Sequence, residues 1–343
     1  MSEFRDALDT VLARGTLPAA QAEAAFGEVL DGEVPESLIA SFLVALKVKG
    51  ESADEIAGCA RAMRTRARAV HLDAANLTDT AGTGGDNAGT FNISTGAALI
   101  AAAAGVPVAK HGNRAVSGSV GGADVLEKLG VKIDSDPGEL QASLNAAGCC
   151  FIFAPSYHPA MARLAQLRRT LATRTLFNLM GPLVNPASPR RQVTGVAEIR
   201  VFSEMARAIV ALGADHAMVV HGMDGLDEIS LSAATRVAEI QAGAIQEYEI
   251  APEQFGIERA GRTGLRADDA DSAARLLRSA LAGGEGPAQD VLALNGGAAI
   301  YIGGKAASLA EGVQMARNVI ASERALEVIE EMRRASRGKT ELR

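Results

Sequence analysis

Leu77-Thr78-Asp79-Thr80-Ala81-Gly82-Thr83-Gly84-Gly85-Asp86, followed closely by Asn92-Ile93-Ser94-Thr95, is the stretch that decides the fold. Residues 77–81 read as a short strand, the glycines as a tight turn, and Asn92 to Thr95 as the polar start of a helix. A glycine-rich turn between a strand and a helix can aim successive N–H groups inward, and the helix start adds donors and a favourable dipole. Diphosphate and phosphate groups suit such a nest. The spacing is neither GxGxxG nor GxxxxGK[ST], so neither a dinucleotide nor a P-loop nucleotide is expected. A tight turn with no ligand is the alternative reading.

Downstream, short β-like runs alternate with helical stretches. Residues 106–109, 131–133, 149–154, 192–197 and 216–221 read as strands, and 94–104, 137–147 and 201–212 as helices. This alternation predicts a mostly parallel sheet with helices on its faces and ligands at the carboxyl ends of the strands. Residues 158–173 read as one helix, with Met161, Leu164, Leu167 and Leu171 on one face. Further helices are expected over 270–281, 309–320 and 323–334.

Upstream, the first seventy residues read as helices only. Phe4, Leu8, Val11 and Leu12 share a helical face ending at Gly15. Phe26, Val29 and Leu30 belong to a second helix ending at Gly32. Residues 38–48 are apolar nearly all round, which predicts burial against other helices or a partner chain. Ser52-Ala53-Asp54-Glu55 is a capping box opening a fourth helix. The fold class is therefore α/β, a small helical bundle beside a larger α/β domain with a mostly parallel central sheet. The helical domain spans 1–70, with about 158–185 packing back onto it, and the α/β domain spans 71–157 and 186–343.

The 343 residues carry a formal net charge of -7, with no Trp and three Tyr. Without a dense basic block or stacking aromatics, nucleic acid is not an expected partner. Cys59, Cys149 and Cys150 have no metal or disulfide spacing and read as buried small hydrophobes. The apolar stretch 97–108 is too short to span a bilayer, and no signal peptide is evident. A cytoplasmic protein without a membrane partner is expected.

Three further clusters carry chemistry. Lys110-His111-Gly112-Asn113-Arg114 begins where a strand ends, so Lys110 can serve as a fixed charge for phosphate, and Asn113 as donor and acceptor. Asp227-Glu228 follows the strand at 216–221, and adjacent carboxylates there suit magnesium, which binds a few carboxylates together with substrate phosphates. Arg168 and Arg169 follow His158-Pro159, and one of them could clamp a carboxylate. Solvated loop acids and a salt-bridged helix face are the alternatives. No histidine or cysteine has the partner spacing of a nucleophile triad.

In this order these residues resemble anthranilate phosphoribosyltransferase. The resemblance rests on GTGGD at 82–86, NIST at 92–95, KHGNR at 110–114, ADVLEKLG at 123–130 and HPAM at 158–161. It continues through RTLFNLMGPLVNP at 174–186, DGLDEIS at 224–230 and GGKAASLAEG at 303–312. It implies a nucleoside phosphorylase/phosphoribosyltransferase-like fold, a homodimer through the helical domain, and a magnesium requirement. It also implies transfer of the phosphoribosyl group of 5-phosphoribosyl 1-diphosphate to the amine of anthranilate, in tryptophan biosynthesis.

Carried over to matching positions, it implies that Gly82, Thr83, Gly84, Gly85, Asp86, Thr90, Asn92, Ser94, Thr95, Lys110 and Ser117 bind phosphoribosyl diphosphate. Gly82, His111, Asn113, His158 and Arg168 would meet anthranilate. Ser94, Asp227 and Glu228 would hold Mg2+, with Lys110, Asp227 and Glu228 central to the chemistry. The chain departs from the family pattern at Ser117-Gly118-Ser119-Val120-Gly121-Gly122, where relatives often carry Ser-Ser-Lys-Ser-Gly-Ser. A lysine and two hydroxyls are missing, which bears on how the loop holds substrate. A nucleic-acid-binding relative or a pyrimidine nucleoside phosphorylase would share the architecture without this full motif set.

Overall fold

The computed structural model describes residues 2–115 and 120–336. Four helices open the chain: α1 (Glu3–Leu12), α2 (Ala19–Asp31), α3 (Glu36–Lys49) and α4 (Ala53–Thr65). At the start of α4 the Glu55 N–H donates to Ser52 Oγ at 3.3 Å and the Ser52 N–H donates to Glu55 Oε2 at 2.9 Å. This is the reciprocal capping that the sequence predicts. Glu55 is buried, and its charge is answered by Lys49 Nζ at 2.9 Å and the Leu17 N–H at 3.1 Å, as burial of a carboxylate demands.

The rest alternates. It runs β1 (Thr78–Thr80), α5 (Ile93–Ala103), β2 (Val108–Gly112), α6 (Gly122–Lys128), α7 (Pro137–Ala147) and β3 (Cys149–Phe153). Three short helices follow, α8 (Ala154–Tyr157), α9 (Pro159–Arg163) and α10 (Ala165–Leu171). Then come β4 (Arg191–Gly195), α11 (Phe202–Ala211), β5 (His216–Gly222), β6 (Thr235–Gln241) and β7 (Ala244–Ile250). Last are α12 (Ala270–Leu281), α13 (Pro287–Ile302), α14 (Leu309–Ala321) and α15 (Arg324–Ser336).

The seven strands form one sheet in the order β3-β2-β1-β4-β5-β6-β7. β3, β2, β1, β4 and β5 are mutually parallel, whereas β6 and β7 continue the sheet antiparallel. From β1 the chain winds outward to β2 and β3, then returns to β4 on the other side of β1. The strand order therefore reverses between β1 and β4, the place where open α/β sheets bind ligands beyond the carboxyl ends of their strands. No helix among the described residues is long and apolar enough to cross a membrane.

Three expectations need correction. Residues 131–133 form no strand: Val131 and Ile133 are buried in the α/β core, but the Lys132 N–H donates to Ser336 Oγ at 3.1 Å instead of to a ladder. The single helix expected over 158–173 is broken at Leu164, which lies between α9 and α10 with φ -87° and ψ -3°. The hairpin of β6 and β7, turning at Ala242 and Gly243 with φ 50° and 82°, was not anticipated, nor was the buried helix α13.

Leu164 and Leu167 of this broken segment, with Leu176, Phe177 and Leu183 beyond it, share one core with α1–α4. Phe177 meets Phe26 edge-on at 5.9 Å between ring centroids. The same core takes in Phe202, Met205 and Ile209 of α11 and Val219 of β5, so the bundle packs directly onto one face of the sheet. All three cysteines are free and buried.

Candidate active site

The carboxyl ends of β1, β2, β4 and β5 lie side by side, and the glycine turn, Ser94, Lys110 and Asp227-Glu228 meet there, whereas Arg168 stands on α10, which packs on α3 and α9. The loop after β1 lies beside β4, tied by Thr83 N–H to Gly195 O at 2.8 Å and by the Ala197 N–H to Thr83 Oγ1 at 3.2 Å. Thr83 thus uses both its groups to seat the loop. Gly84 and Gly85 take φ 64° and 76°, the left-handed region that favours glycine. At Gly82 a Cβ would overlap the Asp227 carboxylate, and at Gly85 the Arg174 guanidinium. The missing side chains let both charges reach the loop.

Asp227 accepts from the Gly84 N–H at 2.6 Å. The nest thus holds an anion already, a carboxylate of the chain itself. Glu228 accepts from the Ser94 N–H at 3.1 Å at the start of α5, where the helix dipole favours negative charge. Burial and the nearby Asp86 raise the Asp227 pKa to about 7, with the Gly84 N–H pulling the other way. Burial, Asp227 and Asp86 push Glu228 up against the pull of Lys110.

Lys110 leaves β2 beneath this pair. Its Nζ donates to Thr80 O and, at 3.2 Å, to Ser94 Oγ. Burial lowers its pKa, while Asp79, Glu228 and Asp227 support its charge. Asp79 is buried in β1; burial raises its pKa, and Lys110 and the Asn185 amide oppose the rise. Its carboxylate accepts from the Thr80 N–H at 2.7 Å, the His111 N–H at 3.1 Å and Asn185 Nδ2 at 2.9 Å. Asn185 Nδ2 also donates to Ala109 O at 2.8 Å. Asp79 and Asn185 were not singled out from the sequence, because only the structure shows that the acid lies inside a fully buried strand and that the amide reaches it.

His111 and His158 stack edge to face, 5.3 Å between centroids. His111 Nδ1 lies 2.9 Å from Gly181 O, which assigns the proton to Nδ1 and leaves Nε2 as an acceptor. Burial lowers the His111 pKa to about 4 and, with His111 beside it, the His158 pKa to about 3. The Nε2 atoms of both rings are buried and have no partner. The pair presents two neutral acceptors.

Asn113 is exposed, and its Oδ1 accepts from the Arg114 N–H at 2.7 Å. Arg168, on α10, has its pKa lowered by burial alone. Thr90 bridges to Arg266. Asn92 Nδ2 donates to Val120 O at 3.2 Å, while its Oδ1 and Thr95 Oγ1 are buried without partners. Asp86 Oδ1 accepts from the Ala88 N–H at 3.1 Å. Ser117 lies outside the described residues, as do Gly118 and Ser119 of the departing loop.

Among the described residues no group of three or more His, Cys, Asp and Glu side chains forms a cage for a metal. What exists is narrower. The crowded Asp227 and Glu228 carboxylates and the Ser94 hydroxyl form a partial oxygen set, which fits an ion that completes its shell with water and phosphate oxygens. The arrangement can neutralise a polyanion from several sides, and it offers no built nucleophile.

This fold and site define a glycosyl transferase of two parts. Residues 5–67 match the helical bundle domain of the glycosyl transferase family model and residues 74–326 its a/b domain. The chain is 47% identical over 335 residues to the anthranilate phosphoribosyltransferase of Rubrobacter xylanophilus, covering 97% of this chain and 98% of the relative. It is 47% identical over 295 residues to that of Nitrosomonas europaea, covering 86% of each. The solved anthranilate phosphoribosyltransferase of Thermus thermophilus superposes with a TM-score of 0.91 at 42% identity, covering 97% of this chain and 99% of that one. A Saccharomyces cerevisiae anthranilate phosphoribosyltransferase solved with PRPP and Mg gives 0.88 at 25% identity, covering 97% and 98%. The chain belongs to the anthranilate phosphoribosyltransferase family.

Proposed function

We propose that this chain transfers the phosphoribosyl group of 5-phosphoribosyl 1-diphosphate to anthranilate, with Mg2+, in tryptophan biosynthesis. The observation that carries the reading is the meeting of Gly84 N–H, Ser94, Lys110, Asp227 and Glu228 at the β1/β4 reversal. The bond from ribose C1 to the diphosphate oxygen breaks and a C1–N bond forms; the electron pair leaves with diphosphate and the amine releases a proton. Negative charge develops on the leaving group, and the Lys110 ammonium, held in place by Thr80 O and Ser94 Oγ, meets it with a charge oriented in advance. Bound at Ser94, Asp227 and Glu228, Mg2+ supplies further neutralisation of the diphosphate. Gly85, Asp86, Thr90, Asn92, Thr95 and Ser117 complete the phosphoribosyl diphosphate site.

Anthranilate lies against Gly82, Asn113, His111, His158 and Arg168. Arg168 clamps the carboxylate through parallel hydrogen bonds, and the bare Nε2 atoms of His111 and His158 accept from the amine. An aromatic amine held in line needs little further activation. Purified protein with Mg2+ and phosphoribosyl diphosphate consumes anthranilate fluorescence; no loss beyond a protein-free control, with folded protein, refutes the activity. In the same assay Arg168→Ala raises the anthranilate KM roughly tenfold or more, and an unchanged KM removes Arg168 from the site.

The protein works in the cytoplasm as a homodimer joined through its helical domain. Supporting the dimer, Leu12 of α1 and Val44 and Val48 of α3 are 61%, 40% and 70% exposed, apolar surface that a second copy would cover. A monomeric mass in solution at assay concentration would exclude this interface.

A further inference from the structure

Arg174 is a cation that the sequence reading passed over. It follows the break after α10 and precedes Thr175, whose N–H donates to Asn178 Oδ1 at 2.9 Å and whose side chain is buried. The main chain is therefore anchored where the guanidinium departs. That guanidinium fills the space a Cβ on Gly85 would need, and its charge reaches Asp227, holding that pKa down against burial.

Its donors are largely unspent. Arg174 Nε lies 3.0 Å from Glu198 Oε1, a charge contact without hydrogen-bond geometry, because neither Nε nor Nη2, both buried, has an acceptor. Glu198 is shared: its other oxygen accepts from Arg200 Nε at 2.8 Å, and Arg200 Nη1 donates to Glu51 Oε2 at 2.7 Å. Glu51 belongs to the helical domain, just before α4. Burying guanidinium donors without acceptors is costly, and the cost is removed if an anion arrives on the glycine loop. A planar fork beside loop amides is suited to two phosphate oxygens at once.

We propose that Arg174 is a second fixed cation of the diphosphate site, donating to the diphosphate held on the Gly82–Asp86 loop, with Glu198 orienting its fork. This rests on the activity proposed above, since diphosphate is that reaction's leaving group. Arg174 meets the glycine turn at Gly85, whereas Lys110 comes from β2 to Thr80 O and Ser94 Oγ, so two separate cations serve the leaving group.

The test uses the full chain with Arg174→Gln, Arg174→Lys and Glu198→Gln. Binding of inorganic diphosphate with Mg2+ is measured by calorimetry, beside KM for each substrate. Arg174→Gln weakens diphosphate binding and raises the phosphoribosyl diphosphate KM, each by roughly tenfold or more, and leaves the anthranilate KM within about twofold. Arg174→Lys recovers part of the loss, since it keeps the charge without the fork, and it serves alone if the glutamine variant does not fold. Glu198→Gln, which loosens the orientation of the fork but keeps its charge, weakens diphosphate binding by a smaller factor than Arg174→Gln.

Diphosphate affinity within about twofold of the parent in Arg174→Gln, or in Arg174→Lys if only that folds, overturns the assignment. So does a loss in Glu198→Gln equal to that in Arg174→Gln, which would make the arginine a brace for the loop. If the parent binds diphosphate and consumes anthranilate while Arg174→Gln matches it, the Arg174 assignment alone falls. If the parent does neither, the proposed activity falls and this inference with it.

Discussion

Lys110→Met lowers kcat by roughly 10²- to 10³-fold, the range seen when one prepared donor to a developing anion is removed. The ammonium sits between the loop after β1 and the start of α5, donating to Thr80 O and Ser94 Oγ. The same substitution lowers stability, because it takes the donor from Thr80 O and Ser94 Oγ and removes the positive charge that favours ionised Asp79 inside the sheet. Leaving a buried polar group without its partner costs about 1–3 kcal/mol. The two effects separate in a double variant. Asp79→Asn in the Lys110→Met background keeps the acceptor for Thr80 and His111 N–H but loses the one for Asn185 Nδ2, so removal of the charge restores only part of the melting temperature and leaves turnover low. Turnover within tenfold of the parent in folded Lys110→Met removes the lysine from the chemistry. Recovery of turnover with stability in the double variant reduces it to a structural cation.

What was legible in the sequence is what local chemistry writes plainly. The turn after β1 announces itself because Gly84 and Gly85 need positive φ, and Ser52 and Glu55 announce α4 because the box is a contact between near neighbours. Periodicity misled where burial comes from tertiary packing. Val131 and Ile133 are apolar and β-branched, yet they fill a gap against the α/β core and borrow Ser336 for a backbone donor. The edge strand β7 is exposed along most of its length, so its pattern of Gln246, Glu247 and Glu249 lacks the apolar run of a buried strand.

The site followed the same division. Lys110 and Asp227-Glu228 stood out because charged residues at strand ends invite a chemical reading. Arg174, Asp79 and Asn185 did not, because their meaning lies in contacts over long sequence separations: Asn185 reaches Asp79 across 106 residues and Ala109 across 76. The resemblance supplied motif membership for the stretch 174–186 but no reason for its arginine. That reason appears only when the guanidinium is seen in the space left by Gly85.

The largest loss is expected from replacing both Asp227 and Glu228, as Asp227→Asn with Glu228→Gln. Magnesium stabilisation of a departing diphosphate is worth several kcal/mol, so magnesium-dependent turnover falls by roughly 10³-fold or more. Stability should move in the opposite direction. Without metal the two carboxylates are crowded together beside Asp86, and like charges at short range inside a protein oppose the folded state. The amides keep the shape and can still accept from Gly84 N–H and Ser94 N–H, the two donors now bound. Metal-free, the double variant therefore melts above the parent, and added Mg2+ with diphosphate raises the parent's melting temperature but not the variant's, because only a ligand bound by the native state stabilises it. Turnover within tenfold of the parent would refute the metal role. A variant that is both inactive and less stable than the metal-free parent would instead mean that the carboxylates hold the loop after β5 in place, with the loss of activity following from that collapse.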